Sequence, residues 1–244
     1  RREDPVRREA FRALGRFLDK LQWLHVPVLV VLSADHGAMD APERLADQGV
    51  PARRVDVEPV MKDLNARVRA DQKLDFDPLT GDGQQIYIVA RAADPSLRRR
   101  IAESAMAALK QDPDVVAVFT RDEVLAIHPA PGKPADDLTL AERFAESADA
   151  QRSADINVAF QPYLLGGEPR SLGDTIASHG SPWNYDRRVP MLFWWPGAQG
   201  YEHSMPVETV DIAPTLAAVA GVKTSQVEGR CLDLDRSAAD SCKP

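Results

Sequence analysis

The sequence predicts an α/β fold: a mostly parallel sheet with helices on both faces, carrying a small α+β cap insertion. Three observations lead there. The runs VPVLVVL from Val26 and VPMLFWWPG from Val189 are apolar without alternation, as suits strands covered on both faces. Between such runs lie segments whose apolar residues recur every three or four positions, so strands alternate with helices. At 244 residues, with 44% hydrophobic and 27% charged residues, the chain can bury a substantial core.

The first helix is expected over about 5–24, where Val6, Ala10, Leu14, Phe17, Leu18 and Leu21 share a face. Its charged opening, running straight into an amphipathic helix, reads as a piece of a longer protein, so the lack of a leader is uninformative. The strand Pro27–Leu32 follows, then the loop SADHGAMDAPERLADQG and a helix from Val60 to Val68. A Gly/Asp/Pro-rich stretch, QKLDFDPLTGDGQQ, marks a change of character. Beyond it QIYIVAR is a strand, and DPSLRRRIAESAMAALKQ is a helix with Pro in its opening turn. VVAVFT is again a strand, RDEVLAI a short helix, and LTLAERFAESADA a further helix. The block 74–152 is thus assigned to the cap, and 1–73 with 153–244 to the main body. INVAFQPYLL returns as a strand, GGEPRSLGDTIASHGSPWNYDRR is a long polar loop, and VETVDIAPTLAAVAGV is a helix ended by Gly221.

The formal net charge of −7 argues against a nucleic-acid binder, and short basic runs such as Leu97–Arg100 read as solvated helix faces. No window approaches the ~18 uninterrupted apolar residues of a membrane span. Cys231 and Cys242 lie close together in a polar tail. A disulfide there suits an oxidising compartment, the alternative being two exposed thiols, and no cysteine-built zinc site is available.

Five histidines are candidates for chemistry. His36 follows Asp35 directly after the first aliphatic strand, and His179 lies in SHGSPWNYDRRVP ahead of the last one. Carboxylate oxygen and imidazole nitrogen suit Zn²⁺. Gly37 allows a sharp turn beside the pair without a Cβ clash. In a parallel sheet the loop before a strand begins at the wrong edge. His179 then reaches the pair only if its loop crosses the sheet, which Gly166, Gly167, Gly173 and Gly180 permit. His25, His128 and His203 have no acidic or glycine context and read as structural. Asp211 reads as an anchor or cap of the following helix. Phe193 and one of Trp194 and Trp195 read as core, whereas Trp183 and Tyr185, in the His179 loop, are candidates to line a substrate pocket.

LSADHG, SHGSPWNYDRRVPMLFWWPG and VETVDIAPTLAAVAGV, in that order from Ser33 to Val222, resemble the alkaline phosphatase superfamily. The resemblance is to its phosphate-irrepressible, single-threonine branch, related to type I phosphodiesterases and nucleotide pyrophosphatases. It implies the C-terminal portion of a two-zinc hydrolase acting on small-molecule phosphate esters through a phosphothreonine. By that analogy Asp35 and His36 bind one zinc and His179 the other. Paired metals clamp the attacking and leaving oxygens of an in-line displacement. The resemblance also implies a periplasmic or secreted protein.

The departure is that the nucleophile, the remaining ligands and the phosphate-binding side chains are not found here. They are expected upstream, in an N-terminal half that would partner this one, so the chain by itself is expected to be inactive. Within the superfamily the His179 segment resembles monoesterases more than the phosphodiesterase and nucleotide pyrophosphatase pattern. A non-catalytic module keeping the fold is the reading from a different class. Sulfatase and mutase relatives would differ in a nucleophile that lies outside this sequence.

Overall fold

The structure, a computed structural model, describes residues 5–55, 57–130, 132–167, 176–225, 227–234 and 240–242. Gly173, one of the loop glycines singled out above, lies outside the described residues. The chain divides into two compact units, 1–34 with 190–244, and 35–189.

In the first unit, helix α1 (Pro5–Trp23) forms where the three- and four-residue spacing predicts it, but none of its residues is buried. Strand β1 (Val30–Leu32) pairs antiparallel with β8 (Leu192–Trp194), Leu32 facing Leu192. The aliphatic run is therefore not a strand covered on both faces: Leu32 and Leu192, neighbours across the ladder, are both exposed. A 3-10 turn (Thr209–Asp211) leads into helix α8 (Ile212–Val219). Its last turn closes through the Val222 N–H on the Ala217 carbonyl, with Gly221 at positive φ. Asp211 is buried and anchors this region, its carboxylate accepting the N–H groups of Glu208 and Arg230 at 3.0 and 2.8 Å. Cys231 and Cys242 form a disulfide.

The second unit is built on a four-stranded antiparallel sheet in the order β3-β4-β6-β5. These strands are β3 (Leu79–Gly81), β4 (Gln85–Ile88), β5 (Val115–Thr120) and β6 (Ile156–Phe160). Helices α3 (Val57–Gln72) and α4 (Pro95–Leu109) pack on each other, and their apolar faces meet one side of the sheet. Leu64, Val68, Ile86, Ile101, Ile156 and Val158 are the heart of that core. Helix α4 starts where Asp94 accepts the Leu97 N–H at 2.7 Å with Pro95 just inside. Helices α5 (Arg121–Leu125) and α6 (Leu140–Ala145) each open with a capping box, Thr120 with Glu123 and Thr139 with Glu142.

The stretch INVAFQPYLL forms two strands rather than one. Pro162 and Tyr163, the latter at φ +66°, break it, and β7 (Leu164–Gly166) leaves to pair parallel with β2 (Arg53–Val55). A short helix α2 (Pro42–Asp47) precedes β2, in what reads as loop in the sequence. Among the described residues β2–β7 is the parallel ladder and the other pairings are antiparallel. The expected mostly parallel sheet is thus met only in part. An apolar run reports burial and not strand direction, and the tight β3–β4 turn admits only an antiparallel hairpin.

Candidate functional site

Asp35, His36 and His179 all belong to the second unit, and the structure brings the two histidines together. Their rings are stacked, centroids 3.5 Å apart and planes inclined by 12°. The Asp35 carboxylate accepts the His36 backbone N–H at 3.0 Å. Its other oxygen stands 3.6 Å from His36 Nε2, beyond a good hydrogen bond.

The tautomer of His36 follows from its neighbour. Nδ1 lies 2.7 Å from the Gly37 carbonyl oxygen, which can only accept, so the proton belongs on Nδ1. In the neutral ring the lone pair is then on Nε2, on the side of the exposed Asp35 carboxylate. Two lone-pair donors on adjacent residues, with the imidazole fixed from behind by a carbonyl, fit a divalent cation. Among the described residues no group of three or more His, Cys, Asp or Glu could hold a metal by itself.

The pair is held by Asp186, a residue of the His179 loop with no role assigned from the sequence. The Gly37 N–H donates to the Asp186 carbonyl at 2.7 Å, and a Cβ at Gly37 would overlap the Tyr185 carbonyl oxygen. Only glycine lets the chain pass this close. Asp186, on the short helix α7 (Asn184–Arg187), is buried, and its Oδ2 accepts the Ser181 N–H at 2.8 Å and the Ser181 hydroxyl at 2.5 Å. Asp186 thus ties together the residue after His36 and the residue two beyond His179. Its serine partner lies five residues away, outside any capping spacing, so no local signal marked it.

Arg54 on β2 is the second missed residue. Its side chain is almost wholly buried, and it donates to the carbonyls of Gly167 at 3.3 Å and Ile176 at 2.7 Å while pairing with Glu43 at 2.6 and 3.2 Å. Ile176 lies three residues before His179, so a guanidinium fork holds the approach to that histidine. The same pairing lowers the Glu43 pKa, the Arg54 hydrogen bond being the main cause.

Trp183 is half-buried and its indole N–H donates to the Phe160 carbonyl at 3.0 Å, fastening the loop to the end of β6. Tyr185 packs against Tyr163 with centroids 5.4 Å apart, and its hydroxyl accepts the Tyr163 N–H at 3.3 Å. Burial pushes the Tyr185 phenol above its ordinary value.

No family model matches the chain. The alkaline phosphatase PhoK of Sphingomonas sp is 37% identical over 235 residues, which are 94% of this chain and 42% of PhoK. The alkaline phosphatase PhoD of Zymomonas mobilis is 38% identical over 236 residues, 94% of this chain and 40% of PhoD. The chain is homologous to bacterial alkaline phosphatases. It spans about two fifths of the length of these relatives. The crystal structure of the alkaline phosphatase PafA shares its fold, with a TM-score of 0.65 at 24% identity over 84% of this chain and 37% of that one.

Proposed function

We propose that this chain supplies part of the metal centre of a zinc-dependent phosphate-ester hydrolase, with Asp35, His36 and His179 as metal ligands. The observation that carries the reading is the approach of His36 to His179. Residues from the two ends of the second unit converge on one point, and the His36 tautomer leaves Nε2 open toward Asp35. Sequence identity to proteins named alkaline phosphatases, over nearly the whole chain, supports phosphate esters as substrates, and the resemblance of the His179 segment to the monoesterase pattern puts monoesters ahead of diesters. Zinc, when bound, would stabilise charge on the attacking and leaving oxygens at phosphorus. The chain's own contribution is positional: Asp186 and Arg54 fix the backbone around the two histidines, and the Gly37 carbonyl fixes the His36 proton on Nδ1.

The nucleophile and the remaining ligands are assigned to the part of such an enzyme that the match to the relatives leaves uncovered, so the chain alone is expected to turn over no substrate. The disulfide supports an oxidising compartment, periplasmic or extracellular.

The test is a protein of the relatives' full length carrying this chain, assayed with p-nitrophenyl phosphate and bis-p-nitrophenyl phosphate. Bound zinc is measured alongside. Asp35→Ala, His36→Ala and His179→Ala should each lower zinc content and reduce kcat/KM by about 10³-fold or more, since metal stabilisation supplies several kcal/mol. Full zinc content and activity in these variants would reject the assignment and favour a non-catalytic module. Brisk turnover by residues 1–244 alone would reject the division of the centre.

A further inference from the structure

The four-stranded sheet has a second face, and it is not finished like the first. Ile156 and Val158 of β6 enter the core under α3 and α4, so Asn157 between them points to the other side. There the ladder sets it between Phe119 of β5 and Gln85 of β4. On the Phe119 side the face is closed by an aromatic contact with Phe144 of α6, centroids 5.5 Å apart. On the Gln85 side the cover stops and a cavity of about 450 Å³ opens, bounded by α6 and by Gly180–Pro182 of the His179 loop.

The floor of this cavity is a pair of amides. Asn157 is only 8% exposed, and its Nδ2 has no hydrogen-bond partner among the described residues. A buried amide without a partner costs about 1–3 kcal/mol, so a polar atom left bare beneath a cavity calls for an occupant. Gln85 uses its Oε1 to accept the Tyr87 hydroxyl at 3.3 Å, which turns its own NH₂ to the role of donor. The walls carry positive charge. Arg143 is held by the carbonyls of Leu138 and Pro182, at 3.1 Å each, and among the described residues by no carboxylate. Arg187 also lines the space, its guanidinium donating to the Ala135 carbonyl at 3.2 Å. The acidic wall residue, Asp149, is engaged by the N–H groups of Gln151 and Arg152 and by the Arg152 side chain.

We propose that this cavity is a binding site for a small organic oxyanion, whose oxygen acceptors take the amide donors of Asn157 and Gln85 while its charge meets Arg143. A volume of 450 Å³ is in the range of small-molecule sites and larger than a lone inorganic anion needs. Carboxylate and phosphate oxygens offer the same chemistry here. The site is distinct from the Asp35–His36–His179 group and requires neither metal nor turnover, so it stands or falls independently of the phosphatase reading.

The test is titration of the metal-free chain with citrate and, separately, with glycerol 2-phosphate, followed by the side-chain amide signals of Asn157 and Gln85 in ¹⁵N–¹H spectra. At least one probe should shift both amides saturably, with a dissociation constant on the order of 1 mM, and the tighter probe identifies the carboxylate or the phosphate source. Asn157→Leu should weaken binding about tenfold without lowering the melting temperature, because it removes an unpaired donor. Gln85→Leu, at an exposed strand position, should weaken it several-fold while leaving every arginine in place. Two outcomes overturn the proposal: no saturable shift with either probe up to about 20 mM, or binding unchanged in both variants.

Discussion

The imidazoles of His36 and His179 lie face to face, 3.5 Å between centroids, although one opens the second unit and the other lies near its end. Neither ring is held there by its own strand. What brings them together is backbone hydrogen bonding around Asp186 and Arg54, so the contact is sensitive to residues that need not touch a ligand.

Gly37 is the tightest point of that arrangement. Replacing it with alanine places a methyl group in the Tyr185 carbonyl oxygen, and the chain must separate from α7. Gly37→Ala should cost about 1–3 kcal/mol, the range of overpacking, or a fall of roughly 3–10 °C in melting temperature. Calorimetry measures the fall, and the histidine ring signals should move at both His36 and His179. Unchanged ring signals would mean the stack does not depend on this approach.

Asp186 provides a graded series. Its Oδ2 accepts two hydrogen bonds from Ser181 while its Oδ1 is buried without a partner. Asp186→Ala leaves the Ser181 N–H and hydroxyl unsatisfied and should destabilise by about 2–4 kcal/mol. Asp186→Asn keeps an acceptor for Ser181 and should cost less, about 1–2 kcal/mol. Urea unfolding ranks the two, and equal losses would show that the negative charge, which both variants remove, matters and the acceptor for Ser181 does not.

Much of this was legible in the sequence, and the gaps have physical causes. DHG and SHG named the ligand candidates because residue type and glycine context are local properties. The starts of the helices that follow Asp94, Thr120 and Thr139 were placed to within about two residues because their apolar spacing is local, although the capping side chains were not singled out. Strand direction was not readable. The run Val26–Leu32 announced a strand but not that it would pair antiparallel with β8, its last residue opposite Leu192. Arg54 and Asp186 were missed because their partners at Ile176 and Gly37 are distant in sequence, and no spacing encodes such a contact.

Arg54 makes the dependence of His179 on distant residues testable. Its buried guanidinium holds carbonyls on both flanks of residues 168–175. Arg54→Lys keeps the charge but not the fork, and Arg54→Ala leaves the Gly167 and Ile176 carbonyls without this donor. Both should speed amide hydrogen exchange at Ala177–Ser181, with alanine the more severe. Glu43→Gln, which loses only the charge of an exposed partner, should have a small effect. Exchange rates unaffected by Arg54→Ala would show that this segment is fixed by other contacts.

Glu142 sets a pH dependence with a definite sign. It accepts from Lys133 at 2.6 and 2.8 Å and from the Thr139 hydroxyl and N–H at 2.7 Å each. Lys133 first, then Thr139, lower its pKa from 4.5 to about 2. A carboxylate whose folded value lies below its unfolded one contributes stability that is complete above the unfolded value and lost as pH falls through the folded one. Wild type should therefore exceed Glu142→Gln in stability by a constant margin above about pH 5. The margin should shrink between about pH 4.5 and 2, the window set by the two values. Chemical denaturation of both proteins across that range measures it. A margin independent of pH would mean that the amide replaces the carboxylate in the capping box and that the Lys133 pairing contributes nothing to stability.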